Sequence, residues 1–288
     1  DLDSKACLLE QLGPPINRLG YTVEEQLCIV CGILSKTWAI PADEVGFSDG
    51  EQSIAWFRGF LAPRWRTLGR PCSARVMALA YRFLREREQA MRPKEHVLLH
   101  GDAHGSNCLQ TLAGDGFKLV DPGGLCYEKA YDLGVMMREW VEDYEEDPLR
   151  KGRERCALLH SLTGVPSRAI WAWGFLESVS TGFVLLGISQ EETGRKMLAA
   201  AERWAQVEDE GRDMHSPEET ALHARLRDDY GLDVWDIRPA SRGCYGLTWK
   251  AVTDEGNMFL KADPWPQHQQ SFRDGLEAVR FLMDRGID

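Results

Sequence analysis

The chain is poor in basic residues: it has 34 Lys and Arg against 45 Asp and Glu, which makes its formal net charge −11. A surface that binds nucleic acid needs a basic face, so this deficit argues against a nucleic-acid partner. The excess of carboxylates suits a small cationic partner, although most surface carboxylates contact only solvent. The sequence also lacks an apolar run close to the ~20 residues that a membrane span needs, so we expect no membrane contact.

The sequence shows neither a signal peptide nor a disulfide framework. Its eight cysteines are scattered along the chain, whereas disulfide-stabilised domains are short and dense in cysteine. Cys28 and Cys31 form a single C-x-x-C inside an apolar run, and no second pair accompanies them. We therefore expect these thiols to pack in a helix rather than to bind metal or do redox chemistry. These features predict a protein of the reducing cytoplasm.

The rest of the composition, with 43% hydrophobic and 27% charged residues, is ordinary for a globular enzyme. Up to residue 206 the patterns are mostly helical. We expect a strand over residues 6–12, a helix after the capping-box residues Thr22 and Glu25, a helix over 74–91, a hairpin around "AGDG" at 113–116, and helices from 128 to 206.

The character of the sequence changes near residue 207. Residues 207–214 are polar and charged, and we interpret them as a linker. Residues 232–263 alternate strand-like runs with turn residues, which predicts three antiparallel strands with "DEGN" as the second turn. A closing helix is predicted from apolar residues at helical spacing, namely Phe272, Leu276, Val279 and Met283.

One short stretch, "HGDAHGSN" at residues 100–107, concentrates polar side chains in a tight turn. Phosphoryl transfer needs a carboxylate that orients the attacking hydroxyl and oxygen ligands for magnesium. Asp102 and Asn107, five residues apart, can serve these two roles, and Asp121 follows the hairpin as a second carboxylate. Asp and Asn are also common turn formers, so the joint pattern carries the inference. Zinc fits poorly, because His100 and His104 lie among glycines and no H-E-x-x-H glutamate is present.

The runs "LLHGDAHGSNCL" and "FKLVDPGGLCYEKAYDLGVMMREW" resemble the aminoglycoside phosphotransferase family, most closely its streptomycin 6-phosphotransferase and hydroxyurea phosphotransferase branch. "ACLLEQLGPP" is similar to that branch's last N-lobe strand and hinge, and the resemblance covers residues 6–206. It implies ATP and Mg²⁺ as cofactors. The implied roles are catalytic base for Asp102, magnesium ligands for Asn107 and Asp121, loop support for His100 and Asp132, and adenine contact by the backbone near Glu10 to Leu12.

Such a site also needs a cover for the phosphates and a lysine held by a glutamate. Residues 232–288 offer candidates: Lys261 in the third predicted strand, Glu277 in the closing helix, and Ser241, Gly243 and Gly246 in the turn "SRGCYG". This segment resembles a kinase N-lobe placed after the C-lobe. We therefore expect an α+β, protein-kinase-like bilobal fold in reversed order, with a helical C-lobe over 1–206 and a small antiparallel sheet over 215–288.

The reversed order has three explanations, which are a circular permutation, the tail of one kinase joined to the head of another, and a fragment of a tandem fusion. Asp288 follows the predicted glutamate helix directly, and a strand expected after that helix is missing, which favours two joined relatives. The function that we expect is ATP- and magnesium-dependent phosphorylation of a small antibiotic, most closely an aminoglycoside such as streptomycin.

The alternatives to that function are another small-metabolite kinase, for hydroxyurea or a choline-like acceptor, and an inactive nucleotide-binding remnant. Glu145 and Glu146 in "EDYEED", together with Glu177 in an apolar helix, are candidate contacts to a cationic substrate. The charged run has a second interpretation, which the pattern of charges favours, as a solvated helix end. Glu177 has a second interpretation, an internal ion pair, because an unpaired buried charge is costly.

Overall fold

The capping box predicted at Thr22 and Glu25 starts the first helix, α1 (Val23–Thr37). The Thr22 hydroxyl accepts from the backbone N–H of Glu25, and the Glu25 carboxylate accepts from the backbone N–H of Thr22. Both bonds satisfy N–H groups that have no partner inside the helix. In this computed structural model, the structure describes residues 9–42, 47–188, 190–208, 217–240, 247–262, 269–283 and 285.

The chain divides into two compact units, Asp1–Arg212 and Asp213–Asp288, which we call the N-terminal and C-terminal units. The described residues of the N-terminal unit form α1, β1 (Ser48–Asp49), α2 (Gly50–Thr67), α3 (Ala74–Gln89), β2 (Val97–Leu99), β3 (Cys108–Gln110), β4 (Phe117–Leu119), β5 (Leu125–Tyr127), α4 (Ala130–Arg138), α5 (Pro148–Thr163), α6 (Ser167–Gly187) and α7 (Glu191–Val207).

The described residues of the C-terminal unit form α8 (Pro217–Tyr230), β6 (Val234–Pro239), β7 (Leu247–Thr253), β8 (Asn257–Ala262) and α9 (Gln269–Met283). The whole is a mostly helical mixture of helix and small sheets, compatible with the predicted α+β class. The identity of the two units as kinase lobes in reversed order stays a prediction.

The strand predicted over residues 6–12 is wrong in its described part. Leu9 is 73% exposed, and residues 9–12 belong to no strand; residues 6–8 lie outside the described residues. The chain instead runs beside β3 slightly later, where the Gly13 N–H donates to the Gln110 carbonyl over 2.8 Å. An apolar run does not specify whether a neighbouring strand lies within hydrogen-bonding distance. A segment becomes a strand only when it forms such hydrogen bonds with a neighbour.

The predicted hairpin is confirmed, with β3 and β4 antiparallel and Cys108 opposite Leu119. Its open end is closed by one further bond, from the Val120 N–H to the Asn107 carbonyl over 2.9 Å. Asn107 and Val120 are therefore cross-strand neighbours, and Asp121 is the next residue. The hairpin thus brings Asp121 back to the turn that carries Asn107.

Helices α4 and α6 cross at unusually close range because a glycine of each faces the other helix. A Cβ on Gly134 would lie 2.5 Å from the Cβ of Trp173, and a Cβ on Gly174 would lie 2.5 Å from the Cβ of Met137. Real carbon atoms need ~3.5–4.0 Å, so only glycine permits this approach. The crossing places the C-terminal half of α4 beside the middle of α6.

Helix α6 is the centre of the core. Trp173 is fully buried and its ring contacts those of Phe57, Tyr127 and Tyr131, with centroids 5.6, 5.6 and 4.9 Å away. By length and composition alone, α6 is also the one helix of the described residues that could cross a membrane, and 78% of its apolar window is buried inside the structure. That burial is what a central core helix shows.

In the C-terminal unit, β6, β7 and β8 form an antiparallel sheet in that order, as predicted. Its small core consists of Leu226 from α8 with Val234, Ile237, Trp249 and Ala251 from the sheet. The predicted closing helix is present as α9, in which Leu276 is 53% exposed. The side chains of Phe272, Val279 and Met283 lie outside the described residues.

Candidate active site

The 100–107 turn follows β2 and is held at its start by the fully buried carboxylate of Asp132 on α4. Its two oxygens accept the backbone N–H groups of His100 (3.2 Å) and Gly101 (2.7 Å), and one of them also accepts the Trp38 indole N–H (2.9 Å). Gly101 has a φ of +80°, a conformation that residues with a Cβ adopt only under strain. Asp132 therefore has the geometry of the scaffold acceptor that the resemblance implies.

The His100 ring joins the turn to the end of the hairpin. Its Nδ1 lies 3.3 Å from the backbone nitrogen of Asp102, and its Nε2 lies 3.0 Å from the Val120 carbonyl oxygen. A backbone N–H can only donate, so Nδ1 must be the acceptor and Nε2 must carry the proton. The neutral Nε2–H form of His100 thus ties the backbone of Asp102 to the residue just before Asp121.

Asn107 completes the turn by donating from its side-chain amide to Asp102. Its Nδ2 lies 3.0 Å from the Asp102 carbonyl oxygen and 3.3 Å from the Asp102 Oδ2. These bonds use the nitrogen of the amide, so Oδ1 is the atom that remains for a cation. Together with the hairpin pairing of Asn107 and Val120, they bring the three predicted residues Asp102, Asn107 and Asp121 to one place.

The Asp102 carboxylate is surrounded by donors, yet its side chain remains 41% exposed. Arg138 Nη2 donates to Oδ1 over 2.5 Å, and His104 Nε2 lies 3.4 Å from Oδ2. Burial works to raise the pKa of Asp102, but the hydrogen bond from His104 and the charge of Arg138 outweigh it and lower the pKa to about 2. The pKa of His104 is raised because the bond to Asp102 and the charge of Glu139 outweigh the opposing effect of burial.

Arg138, at the end of α4, was not anticipated from the sequence. Its Nη1 donates to Glu177 Oε2 over 2.5 Å and to Thr181 Oγ1 over 3.1 Å, while its Nε lies 3.3 Å from Glu139 Oε1. Glu177 is 4% exposed, so the structure corrects its assignment to a substrate cleft in favour of the internal pair. Its isolated position in an apolar helix was the signal, because a buried carboxylate requires a cationic partner.

Asp121 is exposed and adopts a left-handed backbone with a φ of +64°. Aspartate is one of the few residues that tolerate this conformation. The backbone of Asp121 follows directly on Val120, the cross-strand neighbour of Asn107. Mg²⁺ is typically held by one or two carboxylates, waters and the substrate phosphates, so an exposed carboxylate at this position fits it. Among the described residues, no cluster of three or more His, Cys, Asp or Glu could hold a metal by itself. The amide oxygen of Asn107 and the carboxylate of Asp121 are ligand types that magnesium accepts.

The other predicted residues of the N-terminal unit lie outside this cluster of contacts. The Glu10 carboxylate pairs with Lys118 on β4, and Leu12 is half-buried. Glu145 pairs with Lys196 over 2.8 Å, and both Glu145 and Glu146 line a cavity of about 860 Å³ between the segment before α5 and helix α7. None of these contacts decides their roles in adenine or substrate binding, which stay predictions.

In the C-terminal unit the expected ion pair is not formed. Lys261 on β8 and Glu277 on α9 are both exposed, and no salt bridge joins them in the part of the chain that the structure describes. The sheet register alone places Lys261 opposite Thr248. Ser241, Gly243 and Gly246 lie outside the described residues. Nucleotide binding by these five residues stays a prediction.

Residues 6–185 match the sequence model of a family described as aminoglycoside/hydroxyurea antibiotic resistance kinases. That range contains the 100–107 turn, the hairpin, α4 and nearly all of α6. No curated protein and no solved structure matches the chain. The class of the protein is therefore that of an enzyme, a small-molecule phosphotransferase, and a kinase implies the use of ATP. The chain belongs to the aminoglycoside/hydroxyurea antibiotic resistance kinase family.

Proposed function

We propose that the protein transfers the γ-phosphoryl group of ATP, with Mg²⁺, to a hydroxyl of a small cationic antibiotic, an aminoglycoside of the streptomycin type. The observation that carries this proposal is the hydrogen-bonded assembly of Asp102 and Asn107 next to Asp121. In the reaction, the bond between the acceptor oxygen and the γ-phosphorus forms while the bond to the leaving ADP oxygen breaks. The hydroxyl proton goes to the Asp102 carboxylate.

Asp102 is suited to orient the acceptor hydroxyl. A carboxylate offers about four lone-pair sites, and three are directed to Arg138, His104 and Asn107. One site remains, and the exposed part of the side chain makes it reachable. A low pKa keeps Asp102 ionised at neutral pH, so its role is to position the hydroxyl and to accept the proton late, as in the loose transition states of phosphoryl transfer.

The magnesium ion would be held by Asn107 Oδ1 and the Asp121 carboxylate. When bound, it neutralises charge on the transferred phosphoryl group. We further propose that Lys261 assists ATP binding. The acidic balance of the chain, with a net charge of −11, supports a cationic acceptor rather than a nucleic acid, and we propose a cytoplasmic location, where ATP is available.

The experiment that tests the proposal is a turnover screen with radiolabelled ATP over streptomycin, hydroxyurea and choline, run on the wild type, Asp102→Asn and Asp115→Asn. Asp115 is a matched control, because it is an exposed hairpin carboxylate whose one hydrogen-bond donor in the described part of the chain is the nearby Thr111 hydroxyl, at 2.6 Å. We expect streptomycin to be phosphorylated by the wild type and by Asp115→Asn. Asp102→Asn should lose a factor of about 10²–10⁴.

Hydroxyurea is the second candidate acceptor, since the family's description includes it. If the enzyme phosphorylates hydroxyurea but not streptomycin, the acceptor is hydroxyurea and the proposed mechanism still holds. ATP binding without turnover of any acceptor, unchanged by Asp102→Asn, would refute the proposal and favour an inactive nucleotide-binding module.

A further inference from the structure

Arg138 lies at the centre of a buried chain of polar contacts that ends at the half-buried Asp102. Its side chain is 13% exposed and carries three carboxylate contacts, to Asp102, Glu139 and Glu177. Its two terminal nitrogens have different partners: Nη2 donates to Asp102, and Nη1 donates to Glu177 and Thr181. A guanidinium is a planar fork, so fixing one nitrogen also fixes the direction of the other.

Glu177 has a second partner besides Arg138. Tyr131 donates a hydrogen bond to it, so both partners of this buried α6 carboxylate, Tyr131 and Arg138, come from α4. Removing one member of a buried ion pair leaves an uncompensated charge, so separating Glu177 from Arg138 is strongly unfavourable. The chain Tyr131–Glu177–Arg138–Asp102 therefore runs from the packed core to the carboxylate at the surface.

The close crossing of α4 and α6 makes this chain possible. Gly134 and Gly174 bring the helices together, and Arg138 and Glu177 lie about one turn beyond these glycines on their respective helices. Because the crossing is set by backbone contact, the distance between Arg138 and Glu177 is fixed by the core and not by the solvent-exposed turn.

We propose that Arg138, held by Glu177, is a positioning residue of the phosphotransfer reaction: it orients the Asp102 carboxylate so that one lone-pair site faces the acceptor hydroxyl. This inference rests on the proposed function of Asp102. It assigns Glu177 a role without substrate contact. Arg138 acts on the reaction through Asp102 alone.

The test compares Glu177→Gln, Arg138→Lys and Arg138→Gln with the control Glu128→Gln. Glu128 is also a partly buried carboxylate that binds an arginine and a tryptophan, Arg87 (3.3 Å) and Trp173 (2.7 Å), but it has no contact with the 100–107 turn. A misplacement of ~1 Å costs on the order of 10²-fold in rate. We expect kcat to fall about 10-fold in Glu177→Gln and about 100-fold in Arg138→Gln, with a value between for Arg138→Lys.

The KM for ATP should stay within about twofold of wild type in all four variants, because Arg138 acts on the acceptor side. Glu128→Gln should lose thermal stability like Glu177→Gln and keep its kcat. A Glu177→Gln enzyme with wild-type kcat, or a Glu128→Gln enzyme that loses as much activity, would overturn the proposal.

A second measurement separates this inference from the proposed function. Crystal structures of wild type and Glu177→Ala should show Asp102 rotated and its bond to Arg138 broken in the variant, with the backbone of residues 100–107 unmoved. That result supports the positioning role even if the wild type phosphorylates none of the acceptors screened. An unchanged Asp102 carboxylate in Glu177→Ala overturns the positioning role whatever the activity.

Discussion

Replacing Gly174 by alanine perturbs the α4–α6 crossing without touching any polar residue. The new Cβ would lie 2.5 Å from the Met137 Cβ and 2.8 Å from its Cγ. Neither atom is at the flexible end of the side chain, so the helices must separate by about 1 Å to restore an ordinary carbon–carbon distance of ~3.5 Å.

Overpacking of a well-packed core costs ~1–3 kcal/mol, and the better helix propensity of alanine returns up to ~1 kcal/mol. We therefore expect a net loss of roughly 1–2 kcal/mol in the free energy of unfolding, which for a unit of this size lowers Tm by about 2–8 °C. The same 1 Å shift moves Glu177 away from Arg138, so kcat should fall by on the order of 10-fold to 10²-fold.

The assay is differential scanning calorimetry together with steady-state kinetics, and the control is Gly32→Ala. Gly32 is an exposed glycine of α1, and a Cβ there would meet nothing within 4 Å. The control should be stabilised by about 0.5–1 kcal/mol and keep its kcat. If Gly174→Ala is as stable and as active as Gly32→Ala, the close crossing does not set the geometry of the site.

Three further predictions concern the turn. Asp132→Asn should destabilise the protein by about 3 kcal/mol in urea unfolding, because an amide cannot accept all three N–H groups at this buried position; a loss below about 1 kcal/mol would contradict the scaffold role. Gly101→Ala should cost roughly 1–2 kcal/mol, since it places a Cβ in left-handed backbone, and a neutral result in the same assay would refute this. The free energy of unfolding should fall in two pH ranges, one acidic and one near or above neutral. The pKa of Asp102 is lowered to about 2, so its contribution is present above about pH 4 and is lost as pH falls towards 2. The pKa of His104 is raised, so its contribution is present below about pH 6.5 and is lost as pH rises through the folded value. Urea midpoints of wild type, Asp102→Asn and His104→Gln between pH 2 and 8 check both losses of stability, and differences from wild type that stay constant with pH would exclude them.

Features with local causes could be predicted from the sequence. The start of α1 follows from the Thr22–Glu25 capping box, and the β3–β4 hairpin follows from the turn around Gly114. In contrast, helix α2 was not predicted. It contains Gly50, Gly59 and Pro63, which oppose a helix locally, and it forms because Ile54, Phe57, Leu61 and Trp65 are buried in the core. Tertiary burial outweighed local propensity there.

Local sequence patterns were enough to predict most of the helices, the turn with Asp102 and Asn107, and the hairpin that returns Asp121 to that turn. Capping and turn hydrogen bonds, and the periodicity of apolar side chains, involve residues a few positions apart. They therefore correspond to patterns within short stretches of sequence. The contact of Arg138 with Asp102 and Glu177 became visible in the folded chain alone, because it depends on two helices that meet at Gly134 and Gly174. A distance between helices is set by the packing of the whole core, and no short stretch of sequence encodes it.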